Sequence, residues 1–122
     1  MSHSEHETVL DRAALLDRIA GDTEFLQELA EMFTEQRDHL IGEVRAAAQA
    51  RDAGALARAA HTLKGCVANL GAGSAYLAAL RVEVLAREGR LNEAEQAAAE
   101  LELEVLRFEQ ALLRLAEELR QA

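Results

Sequence analysis

The sequence predicts an all-α chain, an antiparallel up-down four-helix bundle with an additional short N-terminal helix, and three observations carry that expectation. Apolar residues make up 50% of the chain and recur at three-and-four spacing over long stretches, the period of a helix with one buried face. No proline occurs, and the seven glycines fall mainly between the periodic stretches, as in long helices joined by short turns. Aromatic residues supply only 3% of the 122 positions, so the chain has the length for one domain with a modest, aliphatic core.

Residues 1–7 are polar and are expected to be a flexible lead-in, with residues 8–121 forming the single domain. Ser4 and Glu7 have the spacing of a capping box, which predicts a first helix from near Glu5 to Ile19 or Ala20. Gly21 breaks that pattern. Asp22 or Thr23 then caps a second helix through Leu26, Leu29, Phe33, Leu40, Val44 and Ala47, expected to reach Ala50 and to run ~42 Å. Asp52 and Gly54 mark the next turn, followed by a third helix with the stripe Leu56, Leu63, Val67 and Leu70, ended by Gly71 and Gly73. Ser74 is expected to cap a fourth helix that buries Leu77, Leu80 and Val84 and closes at Gly89. Asn92 with Glu95 repeats the capping-box spacing and opens a fifth helix. Its Ala94, Ala98, Leu101, Val105, Phe108, Leu112, Leu115 and Leu119 alternate by four and three, the strongest periodic signal in the chain. Leu103, Leu106 and Leu113 widen this apolar face beyond a coiled-coil seam, so the helix is expected to pack within one chain and the protein to be a monomer.

Thirteen basic residues against twenty-two acidic ones give a net charge of −9. Nucleic-acid binding needs a clustered positive field, so DNA and RNA are not expected as partners. No apolar run approaches a membrane span, and the polar start has no signal core, which predicts a cytoplasmic protein with no membrane partner. The single cysteine, Cys66, fits a reducing compartment.

The third helix carries the chain's most informative residue, His61. At about 100° per residue, Leu56, Leu63, Val67 and Leu70 fall between about 180° and 240° from it. The imidazole is therefore expected to point away from the core, which leaves either an ordinary surface histidine or a working one. Gly65 lies about 40° to one side, Lys64 about 60° to the other, and Ala57 and Ala68 nearly above and below. An exposed face normally carries long polar side chains, so Ala57, Gly65 and Ala68 form a low surface over which a partner can approach. Gly65 costs the helix about 1 kcal/mol relative to Ala and lies too early to be a C-cap. Lys64 and Arg58 give a local positive patch, which Arg51 extends. These are either solvated charges or, for Lys64, a donor three residues on that meets a phosphoryl group on the imidazole.

The stretch Ala60-His61-Thr62-Leu63-Lys64-Gly65-Cys66-Val67-Ala68-Asn69-Leu70-Gly71-Ala72 resembles the phosphorylation-site signature of histidine phosphotransfer domains, the intermediates of two-component phosphorelays. Gly21-Asp22 with Phe25, Leu26 and Phe33 resembles the family's second-helix opening, and Val82-Glu83 followed by Arg87 its fourth-helix pattern. The likeness spans roughly residues 8–119. Cys66, where the family often has Ser or Ala, and Ala75, where a larger apolar residue is common, depart from it. The resemblance implies a phosphoryl group carried on His61 Nε2, received from the aspartyl phosphate of one receiver domain and passed to the aspartate of another. It implies that Lys64 steadies the phosphoryl group and that Gly65 gives the receiver room; the helical placement then expects Ala57, Arg58 and Ala68 on the receiver docking face. The implied partners are response-regulator receiver domains and a hybrid histidine kinase. No cofactor of its own is expected, Mg²⁺ belonging to the receiver, and no nucleotide loop or kinase motif gives ATP a direct part. Without fused receiver or kinase modules the chain is expected to be a freestanding shuttle.

Three other readings compete. A non-transferring docking module of the same fold would not need His61, Lys64 and Gly65 together. A metal-binding bundle needs inward carboxylates and histidines, whereas Glu35 and His39 lie at an ambiguous face and His3 and His6 in the lead-in. A nucleophilic enzyme is disfavoured because Cys66 lies about 140° from His61 on the helix.

Overall fold

The computed structural model describes residues 8–121, and every regular element in that range is helical. The helices are α1 (Arg12–Arg18), α2 (Thr23–Gln49), α3 (Ala53–Ala68), α4 (Gly73–Arg87) and α5 (Leu91–Gln121). Three of them start on an aspartate. Asp11, Asp22 and Asp52 accept from the backbone N–H of Ala14, Phe25 and Ala55, each at 3.0 Å, satisfying a donor that has no partner within the helix.

The first helix starts at Arg12, later than expected. The backbone before it is committed elsewhere: Asp11 N–H donates to Gly71 O at 2.8 Å, and Thr8 O accepts from Ser74 N–H at 2.9 Å. Glu5 and the Ser4–Glu7 pair, like the whole lead-in, fall outside the described residues. Two further expected caps are displaced. Ala72 stands at the α4 N-cap with no side-chain acceptor, leaving Ser74 inside the helix. Asn92 lies within α5, and its Oδ1 accepts from Arg51. In both turns the reversal falls on a left-handed glycine, Gly71 (φ +73°) or Gly89 (φ +75°), a conformation glycine adopts without a Cβ penalty.

Four helices pack in a closed ring, α2 on α3, α3 on α4, α4 on α5 and α5 on α2. Polar contacts on the α2–α5 side join Gln27 to the Ala116 carbonyl, Arg37 to Glu109, Arg45 to Glu102 and Arg51 to Glu95, so this pair runs in opposite directions. The α5 positions Ala94, Ala98, Leu101, Val105, Phe108, Leu112 and Leu115 are all buried. Phe108 meets Phe33 of α2 edge to face, with ring centroids 5.2 Å apart, a favoured aromatic geometry. Leu10, Leu15 and Ile19 join the same core, and Arg12 pairs with Glu118 of α5.

Two expected stripes are corrected. In α4 the buried apolar positions are Ala75, Ala79, Val82, Leu85 and Ala86, while Leu77 and Val84 are exposed and Leu80 is half-buried. The helix is apolar on more than one side, so periodicity alone does not say which side faces in; close packing selects the alanines. In α5, Leu103 and Leu113 are exposed, and the buried face is narrower than expected.

Candidate functional site

The buried side of α3 comprises Leu56, Ala57, Ala60, Leu63 and Val67. Burial therefore reaches further round the helix towards His61 than the leucine stripe implies, because α4 packs on that flank. Ala57 is only 6% exposed and is not available to a partner, which corrects its placement on the docking face. Arg58, Gly65 and Ala68 are exposed. His61 keeps 61% of its side chain exposed, at the shoulder of the α3–α4 seam.

The seam holds a carboxylate that sequence reasoning did not place in the site. Glu83 of α4 has a side chain only 6% exposed, and its Oε2 lies 3.0 Å from His61 Nδ1. Lys64 Nζ lies 2.8 Å from Glu83 Oε1, an ion pair whose angles depart from those of an ideal hydrogen bond. Arg87 Nη2 lies 2.7 Å from Oε2, one turn further along α4. Lys64, with 18% of its side chain exposed, is thus turned into the seam and not out to solvent.

These neighbours hold the Glu83 carboxyl below its ordinary value. Contact with Lys64 is the largest cause, burial opposes it, and the His61 hydrogen bond and the charges of Lys64 and Arg87 add to the lowering. An ionised carboxylate only accepts hydrogen bonds, so Nδ1 of His61 carries the proton in this contact. In a neutral imidazole that leaves the lone pair on Nε2. The ring is therefore oriented, and its nucleophilic nitrogen is the one Glu83 does not hold.

Gly65, inside α3, has open space where a Cβ would project: no atom lies within 4 Å of that position. Arg51 is not part of this arrangement. It sits in the α2–α3 turn at φ +52°, and its guanidinium bridges to Glu95 and Asn92 of α5, so it does not extend the positive patch. Cys66 is half-buried against the core. His39 faces Glu43 at 3.4 Å on the surface of α2, and no cluster of three or more His, Cys, Asp or Glu among the described residues is placed to hold a metal. No helix among the described residues is long and apolar enough to cross a membrane.

The sequence offered two signals for Glu83: with Val82 and Arg87 it resembles the family's fourth-helix pattern, and its spacing and setting are those of a helical acid near the core. It precedes Arg87 by four, the spacing of a helical ion pair, and it stands between the buried Val82 and Ala86. Which helix α4 would press this acid against was not legible without the packing.

An all-helical chain carrying an exposed imidazole oriented by a buried carboxylate has the build of a histidine phosphocarrier module. The family model for the Hpt domain matches residues 23–122, and the chain belongs to that family, whose members act in histidine phosphotransfer within phosphorelays. Searches of curated proteins and of solved structures found no match.

Proposed function

We propose that this chain relays a phosphoryl group between the aspartates of two receiver domains, with His61 Nε2 as the carrier. The observation that carries the reading is the 3.0 Å contact between His61 Nδ1 and Glu83, which leaves Nε2 as the free nucleophile on a surface kept low by Gly65. The scaffold is an up-down antiparallel four-helix bundle with α1 added at its N-terminal side.

In the forward step the Nε2 lone pair attacks the phosphorus of an aspartyl phosphate. The new N–P bond forms as the P–O bond to the aspartate breaks, and the carboxylate leaves with its electron pair. Nδ1 keeps its proton, and Glu83 offsets the positive charge that develops on the ring. Lys64, within one turn of His61 and paired with Glu83 in the resting seam, swings from that carboxylate on its flexible stem to supply a cation to the phosphoryl oxygens. The second receiver reverses the step, its aspartate oxygen attacking the phosphorus and Nε2 leaving. The receiver brings the divalent ion; this chain brings position. Gly65, Ala68 and Arg58 form the docking face, the chain acts as a cytoplasmic monomer, and a hybrid kinase carrying a receiver is one source of the phosphoryl group.

Incubation with a labelled phospho-receiver is expected to move acid-labile, base-stable label onto the wild-type chain and none onto His61→Gln. A wild-type chain that binds the receiver yet stays unlabelled would leave only a docking module.

A further inference from the structure

On the side of the bundle away from His61, α2 and α5 enclose a cavity of about 420 Å³. Ile41, Val44 and Ala48 of α2 and Ala98 and Leu101 of α5 form its walls, and Leu63 of α3 lies at its floor. Counting about 100° per residue, Leu63 stands about 200° from His61 round α3. The cavity therefore reaches the back of the helix whose front carries the imidazole. Small-molecule sites span roughly 300–1,000 Å³ and are mostly apolar, with a few polar groups to fix orientation; this cavity has that build at the lower end of the range.

Two ion pairs decide what size of body can enter. Arg45 reaches Glu102, and Arg51 reaches Glu95 at 2.8 Å, so both cross from the α2 side to α5. Glu95 and Glu102 are two turns apart on α5, a rise of ~10.5 Å, whereas a helix with its side chains is about 10–12 Å across. A partner helix laid along the groove would have to break both bridges. A small molecule passes between them.

Charge decides its chemistry. The charged residues of the lining are Arg45, Glu95 and Glu102, and each is already neutralised by a partner within the chain. An ionised ligand would lose its water and find no free countercharge, which is costly in an apolar site. The remaining polar group is the Gln49 amide, exposed at the mouth and, among the described residues, in no side-chain hydrogen bond. An amide both donates and accepts, so it suits one neutral polar group.

We propose that the α2–α5 cavity is a binding site for an uncharged, mainly apolar small molecule with one neutral hydrogen-bonding group turned towards Gln49. The site is separate from the phosphoryl site and opens on another side of the bundle, so it stays accessible while Nε2 is covered.

The test uses N-phenyl-naphthylamine, an uncharged arylamine whose fluorescence rises on leaving water, with the intact chain. Saturable binding of one probe per chain is expected. Ala48→Leu and Ala99→Leu, whose longer side chains extend into the cavity, are each expected to weaken it about tenfold, whereas Val84→Gln, at an exposed apolar position of α4, leaves it unchanged. Ala99 is exposed, so its variant carries little risk to folding, and thermal melting verifies all three. Anilinonaphthalene sulfonate, the same rings with a fixed negative charge, is expected to bind at least about tenfold more weakly. A wild-type chain without saturable binding, affinity that survives both cavity variants, or a sulfonate bound as tightly as the amine overturns the proposal.

Discussion

His61 and its neighbours divide two tasks between two sides of one helix. On the α4 side, Glu83 orients the ring; on the other, Gly65 leaves the space through which a phosphoryl donor arrives. Removing the carboxylate tests the first. In Glu83→Ala, Lys64 and Arg87 lose their shared partner and Nδ1 loses its acceptor, so labelling of His61 by phosphoramidate is expected to slow by about 10-fold, the low end of what losing the orienting partner of a metal-bound imidazole costs. Stability at neutral pH is expected to drop by about 1–3 kcal/mol, the cost of unpairing a buried polar contact. The pH dependence has a definite sign. Because the folded carboxyl is held below its ordinary value, the stabilisation is full above the unfolded value of about 4.3 and is lost as pH falls through the folded one. Urea midpoints measured from about pH 5 downward should therefore fall more steeply for the wild type than for the variant; parallel profiles would count against a paired, ionised Glu83. Gly65→Ala tests the second task. Its Cβ meets nothing within 4 Å, so the variant is expected to be more stable by about 1 kcal/mol and to transfer more slowly from a receiver. A variant that gained stability and kept its transfer rate would show that the space over Gly65 is not used.

At the level of elements, two of the three aspartate caps, Asp22 and Asp52, and the α5 stripe were legible because each is written locally, whereas the Asp11 cap was not expected. Asp22 and Asp52 precede their helices directly, and Ala94 to Leu115 repeat at one period along a helix whose opposite face is charged. The α4 stripe was not legible, since Leu77, Leu80 and Val84 fit a helical period as well as Ala75, Ala79, Val82 and Ala86 do. For the same reason the phosphotransfer motif located His61, Lys64 and Gly65, while counting round the helix misplaced Ala57, whose burial depends on α4. Glu83 was quoted within a pattern, yet its role exists only once α3 and α4 are in contact. The turn joining those helices is where a local change should act most strongly. Gly71 sits at φ +73°, and a Cβ there would lie 2.8 Å from the Asp11 carbonyl oxygen. Gly71→Ala thus combines left-handed strain of about 1–2 kcal/mol with a clash against backbone that cannot rotate away. It is expected to lower the melting temperature by several degrees, whereas Gly54→Ala, whose Cβ would meet chiefly the movable Arg58 guanidinium at 3.3 Å, should not.

For the whole molecule, the question is where the cooperative unit begins. The family match starts at residue 23, which leaves α1 outside it. The packing argues otherwise. Leu10, Leu15 and Ile19 are buried in the same core as α2 to α5, and the Thr8–Asp11 backbone is bonded to the α3–α4 turn that positions His61 against Glu83. Fully burying an aliphatic side chain contributes about 1.5–3 kcal/mol, so the three together are worth roughly 5 kcal/mol even after discounting residual structure in the unfolded chain. That is a large share of the roughly 5–15 kcal/mol that holds a domain folded. A fragment of residues 22–122 is therefore expected to unfold at a much lower urea concentration than the full chain, because the core that Leu10, Leu15 and Ile19 complete would be opened to water. Loosening the α3–α4 turn also predicts a smaller difference between the fragment and its own Glu83→Ala form in phosphoramidate labelling, because the seam would no longer hold the carboxylate on the ring. An unchanged midpoint would instead mark α1 as an appendage to a bundle that is complete without it.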